Sequence, residues 1–382
     1  MRSFEIMDTL FTRYCKVEDL FGYIEENYPY PEFKEQRIQA EKVAREKHKQ
    51  VTLDLIYDAL KENSLENTTL ASFEELKDYE FSLEVENSIP IHSILNSIEP
   101  DDIFINNTYF NREQLKILFN KHGILERTVV HSIESDPYLE SKVKTNLSEF
   151  TKTETLLYTS PLLKKIRSFR LKNPSLEKDV LYKEYDDQAC YGLPILLLFC
   201  IHLKKIIVKE NRNKVLFCTK GLYEMFTVMY PEMECVLFST SYLIHIHPTS
   251  SYKEYVQKTY QDKCILVDLY GFFREEGYVY KDIFGCIPRV HVLLHNLQYD
   301  FPSLSSCIES SQLSTEYIET LSYESRGVLF SMIECLELRL HEKTKKPSLE
   351  ILRSFSEQFV NLEPVEIDIH PILLDIIDTC SR

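Results

Sequence analysis

The sequence predicts an α/β protein: a parallel sheet with a helical cap insertion, followed by a second α/β domain. Three observations point there. Short apolar runs alternate with longer segments of helical period, the pattern of parallel strands covered on both faces. A chain of 382 residues suffices for two domains. With 44% hydrophobic residues, 24 Tyr and 22 Phe, it has the apolar material for two cores.

Residues 2–10 read as a short buried strand. A helix follows, with Val17, Leu20, Phe21 and Ile24 on one face. Residues 33–62 read as a helical pair, with Thr52 as N-cap of the second helix, and 73–86 as another helix. The sheet then resumes with Asp102 to Ile105, a helix from Arg112 to His122 ended by Gly123, and a strand from Thr128 to Ser132. Leu156 to Tyr158 is a further candidate strand. A first domain thus covers 1–172, with its cap at about 15–95, and a second covers 173–382. In the second, Lys214 to Phe217, Val236 to Phe238, Cys264 to Asp268 and His291 to Leu294 read as buried strands. Helices are expected at 222–229 and 252–260, over the long patterned segment Ser314 to Leu340, and in the tail after Pro347.

Composition excludes several function classes. A net charge of −16 opposes a nucleic-acid-binding surface, which needs clustered Lys and Arg. The one basic stretch, Lys164 to Lys172, is expected to be a solvated helix face or linker. The 10 Cys include no Cys-x-x-Cys pair, which argues against zinc ribbons and thioredoxin-like sites. With no signal peptide read at the N-terminus, reduced thiols in a cytoplasmic protein are expected. The most apolar run, Leu193 to Leu203, is too short to span a bilayer, so no membrane association is expected. His245 and His247 lack an evident third ligand and read as a structural pair.

The opening Ser3-Phe4-Glu5-Ile6-Met7-Asp8-Thr9-Leu10-Phe11-Thr12-Arg13 resembles the first motif of haloacid-dehalogenase (HAD)-like hydrolases. The branch it is similar to begins Phe-Asp-Ile-Phe-Asp-Thr-Leu. Arg37-Ile38-Gln39-Ala40-Glu41-Lys42-Val43-Ala44-Arg45 and Thr52-Leu53-Asp54-Leu55-Ile56-Tyr57 resemble that branch's cap signatures and carry no expected chemistry. The resemblance implies an aspartate nucleophile, a hydroxyl-bearing residue, a lysine, and carboxylates holding Mg²⁺.

This chain departs from that pattern at almost every place. Glu5 stands at the nucleophile, where an extra methylene moves the oxygen by about 1 Å, an error worth ~10²-fold. Met7 takes the general-acid position, and Asp8 reads best as a turn residue. Asn106 and Asn107 replace the hydroxyl and the aspartate, with Thr108 next in line. Lys142 and Lys144 compete for the lysine role, and the turn after Tyr158 lacks a carboxylate. The second domain resembles the half found attached to the same branch, with Lys220 in place of an acidic residue. Asp268 and Gly271 are kept, yet Phe272 and Phe273 fill a turn that would have held Thr-Gly.

Three functions follow. The first is a catalytically inactive HAD-like pseudoenzyme that binds a protein or a phosphorylated small molecule and needs no cofactor. The second is a divergent Mg²⁺-dependent phosphatase using Glu5 or Asp8. The third is an assembly subunit burying Tyr270, Phe272 and Phe273 against another chain. Ligand-binding candidates are Asn106, Thr108, Lys142, Lys144, Lys220 and Asp268, with no metal ligand expected.

Overall fold

The computed structural model describes residues 2–28, 30–63, 73–124, 129–131, 143, 145–172, 185–240, 244, 247–261, 263–270, 277–295, 303–309, 316–321, 323, 328–333, 336–340, 348–363 and 365–380. The chain divides into two compact units, Met1–Phe150 with Ile166–Tyr182, and Thr151–Lys165 with Lys183–Arg382.

In the first unit β1 (Ser3–Glu5) ends sooner than the apolar run suggests. A tight loop follows, closed by Leu10 N–H to the Glu5 carbonyl (3.2 Å) and Phe11 N–H to the Ile6 carbonyl (3.0 Å). The chain then forms β2 (Phe11–Arg13), which pairs antiparallel with β3 (Ser88–Pro90). Between these two strands lie four helices, Val17–Asn27, Phe33–Lys47, Leu53–Asn63 and Phe73–Asn87, which form the expected helical insertion. Thr52 caps the third of them, its hydroxyl accepting from Leu55 N–H at 3.3 Å. β4 (Ile103–Asn106) and β5 (Val129–His131) complete a parallel sheet of order β1-β4-β5.

A buried ionic network lies within the insertion. Arg37 is fully buried, pairs with Glu80 (2.8 Å) and Glu41 (3.0 Å), and lies over the rings of Phe21 and Tyr109. Tyr57 donates to Glu80 (2.9 Å), Arg13 pairs with Glu84 (2.7 Å), and the Tyr109 hydroxyl donates to Glu84 as well. Burial pushes the Tyr57 hydroxyl well above its usual range, with Glu80 adding to the effect, so it stays a donor. The cap signatures therefore have a physical role. Arg37, Glu41 and Tyr57 belong to this network, while Ala40 and Ala44 give its helix a face thin enough to bury.

The basic stretch is solvated only in part: Lys164, Lys165 and Lys172 are exposed, and its two arginines are not. Its helix, Leu163–Leu171, buries Arg167 and Arg170. Arg167 donates to the carbonyls of Arg13 (2.8 Å), Ser148 (2.5 Å) and Glu149 (3.2 Å), and lies over Phe150. Arg170 donates to the carbonyls of Leu147 and Glu149. A multi-donor guanidinium satisfies a turn of backbone carbonyls that has no ladder of its own.

The second unit is built on a parallel sheet of β6 (Lys214–Phe217), β7 (Glu234–Leu237), β8 (Cys264–Tyr270), β9 (Val290–His295) and β10 (Leu304–Glu309). Its order is β10-β9-β8-β6-β7, so the sheet winds outward in both directions from β6 and β8. β11 (Val328–Ile333) and β12 (Leu336–Leu340) form a separate antiparallel pair. The expected helix over Ser314 to Leu340 is thus corrected: among the described residues of that span, Glu316–Thr320 alone is helical. Leu336, Leu338 and Leu340 alternate with charged residues, a strand period that the longer apolar pattern obscured. The expected strand at Leu156 to Tyr158 is likewise replaced by a helix, Lys152–Leu156, with a Thr151–Glu154 capping box, and a turn.

By length and composition one described helix, Tyr185–Lys209, passes the test for a bilayer span, but its apolar stretch is core. Leu193 to Ile201, Leu203 and Ile207 are buried. Close approach constrains one glycine in particular. A Cβ on Gly221 would lie 2.6 Å from both the Leu321 carbonyl oxygen and the Tyr323 ring. Backbone cannot give way as a side-chain tip can, so Gly221→Ala is expected to cost about 1–3 kcal/mol, read from the urea midpoint of the second unit.

Candidate functional site: two strand edges

The carboxyl end of the first unit's sheet carries the residues matched to the HAD motifs. Glu5 closes β1 in register with Ile105 and is partly buried. Side chains alternate along a strand, so Asn106, one place beyond Ile105, projects from the opposite face. Asp8 is exposed in the following loop with φ 70°, a left-handed geometry that aspartate tolerates, and its N–H donates to the Phe11 carbonyl (2.6 Å). Asp8 thus sits in a turn, but the bond is made by its backbone N–H rather than by its carboxylate.

Both asparagines are committed to local bonds. Asn107 clasps the Met7 backbone, its Oδ1 accepting from Met7 N–H (2.9 Å) and its Nδ2 donating to the Met7 carbonyl (3.0 Å). It acts as one more rung between the ends of β1 and β4. Asn106, buried at 3% exposure, donates to the Phe110 carbonyl (2.8 Å) and accepts from both the N–H (3.0 Å) and hydroxyl (2.7 Å) of Thr108. The Thr108 hydroxyl in turn accepts from Phe110 N–H (3.0 Å). Asn111 then opens the Arg112–Lys121 helix with a capping box to Gln114. This is a self-satisfied strand-to-helix turn, with amide groups spent on backbone.

Those bonds bear on Mg²⁺. The amide oxygen at the aspartate position already takes the Met7 N–H, and Leu156 to Pro161 bring no carboxylate from a strand. These positions thus bring no carboxylate to a hard divalent cation, leaving Glu5 and Asp8 as the carboxylates at the end of β1. Lys142, Lys144 and Ser132 lie outside the described residues, as do Ser241, Tyr242, His245, Gly271, Phe272 and Phe273.

The carboxyl edge of the second unit's sheet is chemically different. Asp268, in β8, is buried at 5% exposure, and its Oδ1 accepts only its neighbour's N–H, Leu269 (2.7 Å). Burial pushes the carboxyl up to about 7, with the Leu269 N–H pulling the other way. Cys218 follows β6 beside it, donating its N–H to the Val267 carbonyl (2.8 Å), and burial holds its thiol well above the usual range. Thr219 and Lys220 begin the Lys220–Met229 helix. At the end of β7, Ser239 N–H donates to the Tyr255 hydroxyl (3.0 Å), and Tyr252 donates to Thr240 (2.9 Å).

The sequence-matched residues therefore fall on two edges. Asn106, Asn107 and Thr108 share one with Glu5 and Asp8; Lys220 and Asp268 share the other. Sequence reasoning missed Gln188, which lies on a single π-helical turn, Gln188–Gly192. It also missed Tyr323, whose hydroxyl donates to Gln188 Oε1 (2.9 Å). Neither carries a motif; the available hint was a Gln and a Gly at the mouth of an otherwise apolar helix. A scan of protein-family models finds no match for the chain, and a search of curated proteins finds none either.

Proposed function

We propose that this chain is a catalytically silent protein on a HAD-like framework, cytoplasmic, and working by binding. One observation carries the reading: the two side chains at the motif positions for phosphoryl handling, Asn106 and Asn107, are both occupied by backbone bonds of their own unit. An aspartate in place of Asn107 would lose the donor half of that clasp, so the present residue suits a structural joint better than a metal ligand. Glu5 keeps a carboxylate at the end of β1 but with a longer reach. Ligand or partner binding needs none of the lost groups.

A phosphatase assay with Mg²⁺ over a panel of phosphomonoesters tests this. Wild type is expected to show no turnover above the buffer rate, and Glu5→Asp to stay within about tenfold of it, since the metal donors are still missing. Turnover by wild type that disappears in Glu5→Ala would establish the divergent phosphatase instead.

A further inference from the structure

We propose that the carboxyl edge of the second unit's sheet, where β6 and β8 diverge, binds a small oxyanion of the phosphate class. It would be held by the first turn of the Lys220–Met229 helix, the Thr219 hydroxyl and the Gln188 amide. The site belongs to the second unit alone and stands whether or not the first unit retains any chemistry.

Topology gives the location. β7 lies on one side of β6 and β8 on the other, so the connections after β6 and β8 leave in opposite directions and part at the strand ends. Open α/β sheets bind ligands in the crevice at such a switch point. The helix that starts there is ten residues long, and its N-cap Thr219 has the extended backbone of a capping residue (φ −118°, ψ 139°) yet makes no side-chain cap bond. Its first-turn N–H groups are therefore available as donors, at the positive end of the helix dipole.

Two buried polar atoms then lack partners around the first turn of this helix, to which Tyr323 links Gln188. Among the described residues, Thr219 Oγ1 and Gln188 Nε2 are buried without a hydrogen bond. Gln188 is 4% exposed, and the π-helical turn that carries it is a local irregularity often found at functional sites. Tyr323 ties the two together. Its hydroxyl bonds Gln188, while its ring packs so closely on Gly221 that no Cβ fits between. Tyr323 does this from a left-handed backbone (φ 52°) at 1% exposure, a costly conformation for a bulky residue.

An unpartnered buried polar atom is costly, and folded proteins rarely keep one without a reason. The groups gathered here are an amide, a hydroxyl, helix N–H groups and the Lys220 ammonium, all able to donate. An acceptor-rich anion satisfies them together. Asp268 lies on this edge, and with its carboxyl raised to about 7 it opposes an anion less than an ordinary aspartate would.

The test is a titration of full-length protein with inorganic phosphate, followed by calorimetry and thermal shift with chloride holding ionic strength constant. Parallel arms use glucose 6-phosphate and glucose. Phosphate is expected to bind wild type, and Thr219→Val and Gln188→Met each to weaken it tenfold or more. Lys220→Gln, at a half-buried position, is the second variant should Gln188→Met fail to fold, and it too is expected to weaken binding. Glucose 6-phosphate binding more tightly than phosphate identifies a metabolite ester; equal binding identifies the free anion. The proposal is overturned if neither phosphate nor the ester exceeds the chloride control. It is equally overturned if binding survives Thr219→Val and Lys220→Gln but is lost in Asn106→Ala, which would put the anion on the first unit.

Discussion

Arg37→Met is expected to destabilise the first unit by about 3–5 kcal/mol, the cost of stranding a buried charge. Glu80 is fully buried and, with Arg37 removed, keeps only the Tyr57 hydroxyl as a bond. Burial already pushes the Glu80 carboxyl up, while the guanidinium and then the Tyr57 hydroxyl pull it the other way. The double variant Arg37→Met, Glu80→Met is expected to recover most of the loss, because two apolar side chains of similar volume replace a pair whose attraction is offset by desolvation. Hydrogen exchange across Phe73–Asn87 and Phe33–Lys47, followed by mass spectrometry, reads both results within the insertion. Equal destabilisation of the single and double variants would show that packing around the guanidinium, rather than its charge, is what matters.

Asp268→Asn is expected to act in the opposite direction, with an effect that grows from about pH 4 and levels off above about pH 7. The folded-state pKa of Asp268 is about 7, against an unfolded value near 3.8. The folded state thus holds a proton that the unfolded chain has released. Stability from this group is complete below pH 3.8 and is lost as pH rises through about 7. At pH 8 the asparagine variant escapes a penalty of up to about 4 kcal/mol, while at pH 4 the two proteins converge.

His291 supplies a counterweight in the same unit. It is buried, stacks on His202 with ring centroids 5.2 Å apart, and bonds Ser305 (2.8 Å). Burial, then the neighbouring His202, lower its pKa to about 3. Its contribution is intact above the unfolded value of 6.5 and is lost as pH falls toward about 3. Between pH 4 and 6.5 the two groups pull against each other, and the second unit of wild type is expected to show a nearly flat stability profile. In Asp268→Asn that balance is gone, leaving a fall of about 1.4 kcal/mol per pH unit on acidification. Urea midpoints from pH 4 to 8, followed by exchange in peptides of the second unit, measure both limbs. A sloping wild-type profile across that window would refute the compensation.

Much of the architecture was legible because burial leaves a period in the sequence. Val215 to Phe217, Cys264 to Val267 and the insertion's helices all declare themselves as apolar runs or faces. Where the reading failed, periodicity was ambiguous or irrelevant. Val328 to Ile333 is a continuous run that suits strand or helix alike. Arg37, Glu80, Glu84 and Arg167 look like surface residues, because nothing local marks a charge whose partner stands 43 or 71 positions away. The asparagines at 106 and 107 were correctly placed at the end of β4. Their commitment to backbone atoms depends on three-dimensional register, which a motif cannot convey.

The antiparallel pairing of Phe11–Arg13 with Ser88–Pro90 has a corollary. Both stems of the helical block leave side by side, so its two ends are closed by one hydrogen-bonded base, while its helices meet the rest of the unit through Phe81 on Phe110 and Glu84 on Tyr109. Each doubling of a loop closed in this way adds only about 0.6 kcal/mol of closure entropy. Lengthening the block at its far tips is therefore cheap in closure entropy, whereas the side that faces Tyr109 and Phe110 has to be kept.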